Sequence, residues 1–590
     1  MMGVLVKEVR VSGFRGLDNF SIELEPITVL TGMNNVGKTS LLKAIQLAFG
    51  GRHLITMDDF HINDVGTRDK IIVDIRIVPF SGLENDEFDE NWEILFTTDR
   101  IRTDGFNSFV PLRTEVTYDV LKSSYKSESY ILNEWPQFFD EGVNWFDSDK
   151  GTKSNFNFDE IPFFYMDARR DILEDTKLRN SYLGKMLSKI EYSRDDIDEI
   201  EEQIKILNER AVENSDVLSN LKNVLKELDS AMGAGSESIE ITPFTKKIRD
   251  LNKGLTIYYG EGNESFSMEY HGMGTRSWSS LLTLKAFISL LSINAQEDGS
   301  VFFPILAVEE PEAHLHPNAQ KKLFKQINSI PGQKIISTHS PYIAATANLK
   351  QIRSMYKANN VICGKFDSSL LGGEQERKIN RQVTNTRGEI FFSKAIVFVE
   401  GETEEQALHI FAENYFGASA VELGLDFVGV SGFRNYLTFI RFADTMGIPW
   451  FIFTDAENTP DKNVKASVEE QFVHSSTSKN QDDVLIFLDD GNDFEKQLIS
   501  DGYQTEIKNV ILNNFVYHNE QHRASTEDNN KIAVNARTDD QLYSSMTSAK
   551  TKFGPDVAHQ IVIGVNPLPP KVITLFEKIN STLTLVEGDL

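Results

Sequence analysis

The stretch GMNNVGKTS, residues 32–40, fits the pattern G-x-x-x-x-G-K-[ST]. It follows the apolar run PITVL and precedes SLLKAI, so it joins a predicted strand to a predicted helix. A glycine-rich loop in this position presents backbone N–H groups to phosphate oxygens. We predict that Lys38 reaches the β and γ phosphates of a nucleotide and that Thr39 holds Mg²⁺. The other predicted nucleotide contacts in the loop are Gly32, Asn35, Gly37 and Ser40.

Two later apolar runs end in polar side chains that suit the same site. In ILAVEEPEAHLHP, residues 305–317, four apolar residues predict a buried strand that ends at Glu309 and Glu310. We predict that Glu309 binds Mg²⁺ through water and that Glu310 orients or deprotonates the attacking water. IISTHSP, residues 335–341, predicts another buried strand, which delivers His339 to sense the γ-phosphate. The predicted cofactors of this site are ATP and Mg²⁺.

The composition limits the function classes. A chain of 590 residues with 40% hydrophobic and 25% charged residues is typical of a soluble protein of several domains. Its one cysteine, Cys363, excludes an internal disulfide framework and a cysteine-rich zinc site, and a cytoplasmic location is expected. The net charge of −28 argues against a nonspecific nucleic-acid coating protein. We find no run of about 18 apolar residues and predict no membrane contact.

The sequence pattern predicts an α/β fold in two successive domains. Residues 1–174 and 241–345 are predicted to form the first domain, and the charged helical pattern of 175–240 is predicted to interrupt it. That insertion is either a dimerisation arm or a solvated helical segment with no function of its own. The polar stretch 346–390 is predicted to be a linker. Alternating strands and helices over 391–590 predict a second, parallel-sheet domain.

Acidic residues follow two predicted strands of the second domain. In VFVEGETEEQ, residues 397–406, Glu400 ends an apolar run and Glu404 follows one helical turn later. In PWFIFTDAE, residues 449–457, Asp455 and Glu457 end another apolar run. Parallel strands bring such residues to one edge of a sheet, where these folds bind ligands. Clustered carboxylates repel one another unless cations share them, and hard oxygen ligands suit Mg²⁺ or Mn²⁺.

The nucleotide motifs, in their order, resemble ABC-type ATPases of the SMC and recombination-repair kind, and the entry strand with Phe14-Arg15-Gly16 is similar to theirs. The later acids resemble those of a Toprim domain. The combination resembles the OLD (overcoming lysogenization defect) family of endonucleases over nearly the whole chain.

The resemblance implies an ABC-type ATPase domain followed by a Toprim domain that hydrolyses DNA with two metal ions. It also implies two further metal ligands, for which Asp493 and Glu495 are the candidates, and a late lysine that stabilises the transition state. Lys552 is preferred to Lys550 for that role. A homodimer or larger homo-oligomer, a helicase-like partner, and a role in phage defence or DNA processing are further implications.

Some residues depart from the family pattern. The ABC signature loop is degenerate in HGMGTRSWSSLL, residues 271–282, and Asp59 stands where a Gln is expected. Glu457 replaces the second Asp of the Toprim D-x-D. Arg169 and Arg170 are predicted either to contact phosphate or the partner subunit, or to form a salt-bridged surface pair. Glu402 and Glu405 are expected to be solvated charges that tolerate replacement.

Two other functions compete with the endonuclease. An ATP-dependent DNA clamp or repair scaffold would carry an inactive Toprim fold, but such a fold has no need of this many acids at strand ends. A topoisomerase would need a nucleophilic Tyr in a separate large domain, and a primase would need a zinc module that one cysteine cannot supply.

Overall fold

The structure is a computed structural model that describes residues 3–583, apart from 51–54, 64–65, 81–86, 106, 139–143, 155–157, 178–184, 186–192, 220–257, 260–265, 358–360, 367–372, 382–387, 457–459, 476–479, 517, 519, 549 and 565. The chain divides into two compact units. Unit 1 comprises residues 1–4, 79–99 and 157–334, and unit 2 comprises residues 5–78, 100–156 and 335–590.

The strands, in chain order, are β1 Gly3–Ser12, β2 Phe20–Glu23, β3 Ile27–Thr31, β4 Ile62–Asn63, β5 Gly66–Thr67, β6 Lys70–Phe80, β7 Arg102–Asp104, β8 Asn107–Asp119, β9 Ser124–Ile131, β10 Thr152–Ser154, β11 Phe163–Met166, β12 Tyr258–Tyr259, β13 Phe266–Ser267, β14 Ile305–Glu309, β15 Gln333–Ser337, β16 Ile352–Lys357, β17 Val361–Lys365, β18 Ala395–Val399, β19 Leu425–Gly429, β20 Trp450–Thr454 and β21 Leu485–Phe487.

The helices are α1 Lys38–Ala48, α2 Glu90–Phe96, α3 Ile172–Lys177, α4 Arg194–Glu213, α5 Met273–Glu297, α6 Pro317–Asn328, α7 Pro341–Ala344, α8 Gly373–Ile379, α9 Glu402–Phe416, α10 Ala420–Leu423, α11 Tyr436–Thr445, α12 Pro460–Ser475, α13 Gln481–Val484, α14 Phe494–Ser500, α15 Gln504–Asn513, α16 Glu520–Asn535, α17 Asp539–Thr547, α18 Lys550–Ile563 and α19 Pro570–Leu583. Short 3₁₀ helices span Met57–Asp59, Trp145–Asp147, Met268–Tyr270, Leu349–Gln351, Gly388–Phe392 and Phe433–Asn435.

Unit 1 contains the strand pair that carries the predicted catalytic acids of the ATPase. Strands β11 and β14 are parallel, with Met166 opposite Val308. All five residues of β14 are buried, which is typical of a parallel strand covered on both faces. Helix α4 lies within the predicted insertion, and most of residues 175–240 fall outside the described chain. The domain boundaries therefore stay predictions.

One short apolar run in unit 1 forms a helix. The run NWEILF, residues 91–96, is short enough to be a strand, but it makes up most of α2. The side chain of Asp89 accepts a hydrogen bond from the backbone N–H of Trp92 and caps the helix. The rings of Trp92 and Phe96 then stack one turn apart, with centroids 5.7 Å apart. A short apolar run does not by itself distinguish a helix from a strand, and here the cap decides.

Helix α5 has the length and composition of a membrane span. It runs for 25 residues, and an 18-residue window within it has a mean hydropathy of 1.2. No other helix in the described part of the chain meets both criteria. The sequence predicts no spanning segment, because the Arg276 and Lys285 side chains interrupt the apolar residues of this helix. By itself this profile is weak evidence, since core helices of soluble proteins share it.

The N-terminal part of unit 2 combines a sheet of antiparallel strand pairs with the strand that leads into the phosphate-binding loop. The sheet has the order β10-β9-β8-β6-β1-β2. Strand β3, confirmed where PITVL predicted it, runs parallel to β16. At the centre of the sheet, Arg113 donates two hydrogen bonds to Asp74, of 2.7 and 2.8 Å, and both side chains are fully buried. Such a pair is stable because each charge satisfies the other.

The C-terminal part of unit 2 holds the predicted parallel sheet. Four strands are ordered β19-β18-β20-β21, and all neighbours are parallel. Strands β18 and β20 are buried at every residue. Val399 lies opposite both Gly429 and Phe453, so three strands end at the same level. The α/β class and the second parallel-sheet domain are thus confirmed.

Candidate functional site

The phosphate-binding loop has the backbone that its two glycines permit. Gly32 has φ +126°, and a Cβ there would lie 2.1 Å from the carbonyl oxygen of Met355. Gly37 has φ +94° and caps α1. Among the described side chains, none caps the first turn of α1, and that turn contains no acidic residue. The N-terminal N–H groups of α1 therefore face the loop with their partial positive charge, which favours a phosphate.

Lys38 and His339 lie together at this loop. The buried ammonium of Lys38 donates hydrogen bonds to the carbonyl oxygens of Gly32 and Met33, at 2.7 and 2.8 Å. Burial and the charge of Lys38 lower the pKa of His339. A lysine folded across a loop mouth can exchange carbonyl oxygens for phosphate oxygens without moving far. Thr39 is exposed at the start of α1, as a ligand for a nucleotide-bound cation must be.

Asp59 holds Arg15 through its carboxylate. One carboxylate oxygen accepts a hydrogen bond from Arg15 at 2.8 Å, and the other accepts one from the backbone N–H of Thr56 at 2.9 Å. Asp59 is also buried. Because both oxygens are engaged, the side chain supports the Phe14-Arg15-Gly16 segment.

In unit 1, Glu309 and Glu310 follow β14 as predicted. Glu309 is buried and accepts a hydrogen bond from the hydroxyl of Tyr165. Glu310 has the left-handed backbone φ of +42°, which a residue other than glycine adopts only where its surroundings enforce it.

Arg170 enforces that conformation. Its guanidinium donates to the carbonyl oxygens of Glu309, Glu310 and Pro311, at distances from 2.6 to 3.4 Å. It is buried, which lowers its pKa to about 10. The neighbouring Arg169 is exposed. For Arg170, the predicted phosphate or partner contact and the predicted surface pair are therefore both wrong, because the side chain points into the protein.

The helix after the degenerate signature loop packs on the same segment. Gly272 caps α5, and a Cβ on Gly274 would lie 2.5 Å from the carbonyl oxygen of His314. Arg276 in the first turn of α5 forms a salt bridge with Asp171, next to Arg170. Of the two glycines that survive in this loop, Gly274 thus permits a close backbone contact.

The second site gathers acids at the carboxyl edge of the β19-β18-β20-β21 sheet. Glu400 follows β18, and Glu404 lies buried in the first turn of α9. Asp455 follows β20. Burial first, and then the charges of Glu404, Glu400, Asp493 and Glu495, raise the pKa of Asp455 to about 8. The predicted acids from four separate segments are therefore close enough to act on one carboxyl group.

The two late acids are both fixed within the protein. Asp493 caps α14, where its Oδ1 accepts a hydrogen bond from the backbone N–H of Lys496 at 2.9 Å. Its Oδ2 accepts a hydrogen bond from the hydroxyl of Tyr543. Glu495 is 1% exposed in the first turn of the same helix. The prediction that these residues begin a helix is confirmed.

Some predicted site residues cannot be placed. Glu457 lies outside the described residues, and the side chains of Lys550 and Lys552 are not described, although both belong to the first turn of α18. Glu402 is exposed, as expected. Glu405, in contrast, is half-buried and accepts a hydrogen bond from the backbone N–H of Gly429 at 2.9 Å. The expectation that Glu405 is solvated is wrong.

The donor chemistry fits a hard divalent cation. The buried Oδ1 of Asp455 has no hydrogen-bond partner among the described residues, and four carboxylates act on this side chain. A cation would offset both costs. As the side chains stand, no group of three His, Cys, Asp or Glu within the described residues has a geometry that would hold a metal ion. To hold a metal ion, the described carboxylates would have to rearrange.

Three residues that hold parts of the two sites in place were not predicted from the sequence. They are Arg170, which binds the backbone after β14, Tyr543, which binds Asp493, and Gly554, which contacts Thr403. Arg170 follows a predicted strand and was noticed, but its partners are backbone carbonyls, which leave no sequence signal. Tyr543 lies 50 residues after its partner Asp493. Gly554 precedes Pro555 inside a helix, and this unfavourable pair is a signal that was available.

Comparisons with known proteins agree with both halves of the chain. Residues 5–344 match the model of the AAA ATPase domain family, and residues 391–456 match that of the Overcoming lysogenization defect protein-like TOPRIM domain. The OLD nuclease of Thermus scotoductus is 24% identical over 418 residues, which are 67% of this chain and 72% of that protein. The endonuclease GajA of Bacillus cereus strain VD045 is 23% identical over 493 residues, or 78% of this chain and 76% of that protein.

Among solved structures, the C-terminal region of the Burkholderia pseudomallei OLD protein is 17% identical, with a TM-score of 0.25. The match covers 32% of this chain and 99% of that one.

Proposed function

Since the chain belongs to the AAA ATPase domain family and carries an OLD-like TOPRIM domain, we propose that it is a DNA endonuclease whose cutting depends on a divalent metal and is regulated by ATP. The observation that carries the proposal is that Glu400, Glu404, Asp455, Asp493 and Glu495 gather at one edge of the parallel sheet, where burial and the neighbouring charges raise the pKa of Asp455. So many buried acids at one sheet edge destabilise the fold unless they serve to bind cations.

The acids would divide the work of holding the cations. Glu400 and Asp455 follow the adjacent strands β18 and β20, Glu404 lies in the first turn of α9, and Asp493 and Glu495 would add ligands from the start of α14. Bound Mg²⁺ or Mn²⁺ supplies polarisation of the scissile phosphate and activation of a water molecule. A lysine in the first turn of α18 would stabilise the charge that develops on the phosphate. We also propose Glu457 as a ligand, because it follows the same apolar run as Asp455 in the sequence.

The nucleotide site would control this chemistry. Lys38 and the first turn of α1 bind the phosphates, while His339 next to Lys38 responds to the γ-phosphate. Glu309 and Glu310 would complete hydrolysis when two chains associate, as in the ATPases that this domain resembles. We therefore propose a homodimer or larger homo-oligomer that acts on DNA in the cytoplasm, in phage defence or DNA processing, together with a helicase-like partner.

A plasmid-cutting assay tests the proposal. Supercoiled DNA is incubated with the protein and Mg²⁺ or Mn²⁺, with and without ATP. We expect nicked or linear DNA from the wild type, and at least a 100-fold lower rate from Glu400→Gln, because Gln keeps the shape and removes the charge. The control is Glu402→Gln, two residues away and exposed, which should cut normally.

The outcomes separate the competing functions. If no metal supports cutting and DNA binding still depends on ATP, the clamp or scaffold function replaces the endonuclease. Equal cutting by Glu400→Gln would remove the carboxylates from the mechanism. Lys38→Ala should abolish the response to ATP and leave metal-dependent cutting measurable. An unchanged response to ATP in that variant would disprove the coupling.

A further inference from the structure

Helix α18 contains a glycine and a proline that a helix interior does not favour. Gly554 and Pro555 occupy the fifth and sixth positions of Lys550–Ile563. Glycine adds backbone entropy to the unfolded chain, and proline removes a backbone donor. Both residues weaken the helix, so a contact that requires them is to be expected nearby.

Gly554 lies directly against Thr403 of helix α9. A Cβ on Gly554 would lie 2.5 Å from Cγ2 of Thr403, and 3.4 Å from its carbonyl oxygen. Thr403 is buried, and a β-branched side chain in a helix has few rotamers to which it can move. The missing β carbon is therefore what lets the two helices approach at this point.

The rest of α18 is anchored, so a change at Gly554 would tilt its first turn. Val557 and Ile561 of α18 share a core with Leu408 and Phe411 of α9. These contacts hold the later turns of α18 in place. A side chain added at Gly554 would push on Thr403, and the first turn of α18 would move away from α9.

We infer that Gly554 is a positioning residue, which sets the distance between the first turn of α18 and the metal-binding edge at Glu404. Thr403 immediately precedes Glu404, and Lys550 and Lys552 lie within one turn of Gly554. The close contact keeps the turn that carries both lysines near the acids that are proposed to hold the metal ions. This inference rests on the proposed endonuclease function, and it assigns Gly554 no contact with DNA or metal.

The test uses Gly554→Ala, Thr403→Ser and the double variant. Alanine is a better helix former than glycine, so a loss of activity cannot come from a weaker helix. We expect Gly554→Ala to lower kcat for DNA cleavage by about 100-fold, as small misplacements of catalytic groups do, with KM for DNA unchanged. Thr403→Ser removes Cγ2 and keeps the hydroxyl. In the double variant it should restore at least about 10-fold of the loss in kcat.

Two further measurements do not depend on cutting. Titration with Mn²⁺ should give the same affinity for Gly554→Ala as for the wild type, because the carboxylates stay in place. Hydrogen–deuterium exchange should be faster in Gly554→Ala for peptides over 550–556, with 557–563 unchanged, and Thr403→Ser should reverse it. His559→Ala, at an exposed position on the same helix, is the matched control and should match the wild type throughout.

The results distinguish this inference from the proposed function. Full cutting by Gly554→Ala, or a loss that Thr403→Ser does not relieve, overturns the inference even if the wild type is an endonuclease. If the wild type cuts no DNA, the proposed function fails. The exchange pattern then decides the inference alone, and an unchanged pattern in Gly554→Ala would refute it.

Discussion

The hydroxyl of Tyr543 donates a hydrogen bond of 2.7 Å to Oδ2 of Asp493. Tyr543 belongs to α17, and the ammonium of Lys496 lies 5.1 Å from the centre of its ring. Oδ1 of Asp493 meanwhile accepts the backbone N–H of Lys496. Both oxygens of the Asp493 carboxylate are thus held by hydrogen bonds. The two donors are not themselves proposed as metal ligands, and they fix the direction of the remaining lone pairs of the carboxylate.

Tyr543→Phe should therefore weaken metal binding. The ring stays in place, but Asp493 loses one of its two fixed donors, and support residues of this kind change metal affinity by about 10–100-fold. We expect a Mn²⁺ affinity about 10-fold lower by calorimetry, with a small loss of stability of about 1 kcal/mol. Tyr270→Phe, at a position 82% exposed, is the control. Wild-type affinity in Tyr543→Phe would show that Asp493 is no ligand.

Glu405→Ala should destabilise the protein, whereas Glu402→Ala should not. Glu405 accepts the backbone N–H of Gly429 at 2.9 Å and so ties the end of β19 to α9. Its removal leaves a half-buried donor without its acceptor, which costs about 1–3 kcal/mol. Thermal unfolding measured for the two variants side by side checks this. A melting temperature that falls equally in both would show that general acidity at the helix start matters, and not this hydrogen bond.

Arg170→Ala should impair ATP hydrolysis more than ATP binding. Without the guanidinium, the carbonyl oxygens of Glu309, Glu310 and Pro311 lose the hydrogen bonds from Arg170, and Glu310 can relax from its left-handed conformation. We expect a fall in kcat for ATP of about 10–100-fold, since correct placement of catalytic groups is worth that much or more. Arg169→Ala, the exposed neighbour, should hydrolyse ATP normally. A normal rate in Arg170→Ala would mean that this loop needs no clamp.

Asp18 should make the stability of the folded protein depend on pH below about pH 4. Burial raises its pKa, but hydrogen bonds from Arg68 and Ser12 outweigh burial, so the pKa of Asp18 is lowered in the folded protein. A lowered pKa contributes stability above the unfolded value of about 3.9, and this contribution is lost as the pH falls through the folded pKa.

The measurement for Asp18 is the melting temperature of Asp18→Asn and the wild type between pH 7 and pH 3. The difference should be constant from pH 7 to about pH 5 and shrink below about pH 4. A difference that persists unchanged at pH 3 would assign the effect of the substitution to lost packing and not to the charge.

The central acids could be predicted because each follows a continuous apolar run. A run such as AIVFV forms a fully buried parallel strand, and the polar residue after it must lie at the sheet edge. Lys38 and Thr39 were predictable for the same local reason, since their roles follow from a loop with strand and helix neighbours.

The supporting contacts could not be predicted in this way. The partners Glu405 and Gly429 are 24 residues apart, and Tyr543 is 50 residues from Asp493. Helix packing decides which residues meet at such separations along the chain. The local spacing of residues in the sequence does not predict these contacts. The helix Glu90–Phe96 shows the same limit at short range, because the Asp89 cap outweighed a strand-like apolar run.

The location of Tyr543 and Gly554 bears on where this chain can be shortened. Every described acid of the proposed metal site lies at or before residue 495, yet α17 and α18 begin at Asp539 and Lys550. A fragment ending between Asn514 and Asp539 would contain all those carboxylates. It would lack Tyr543, which donates a hydrogen bond to Asp493, and Gly554, which contacts Thr403. Catalytic competence therefore extends, along the chain, well past the last acid that a sequence search would flag.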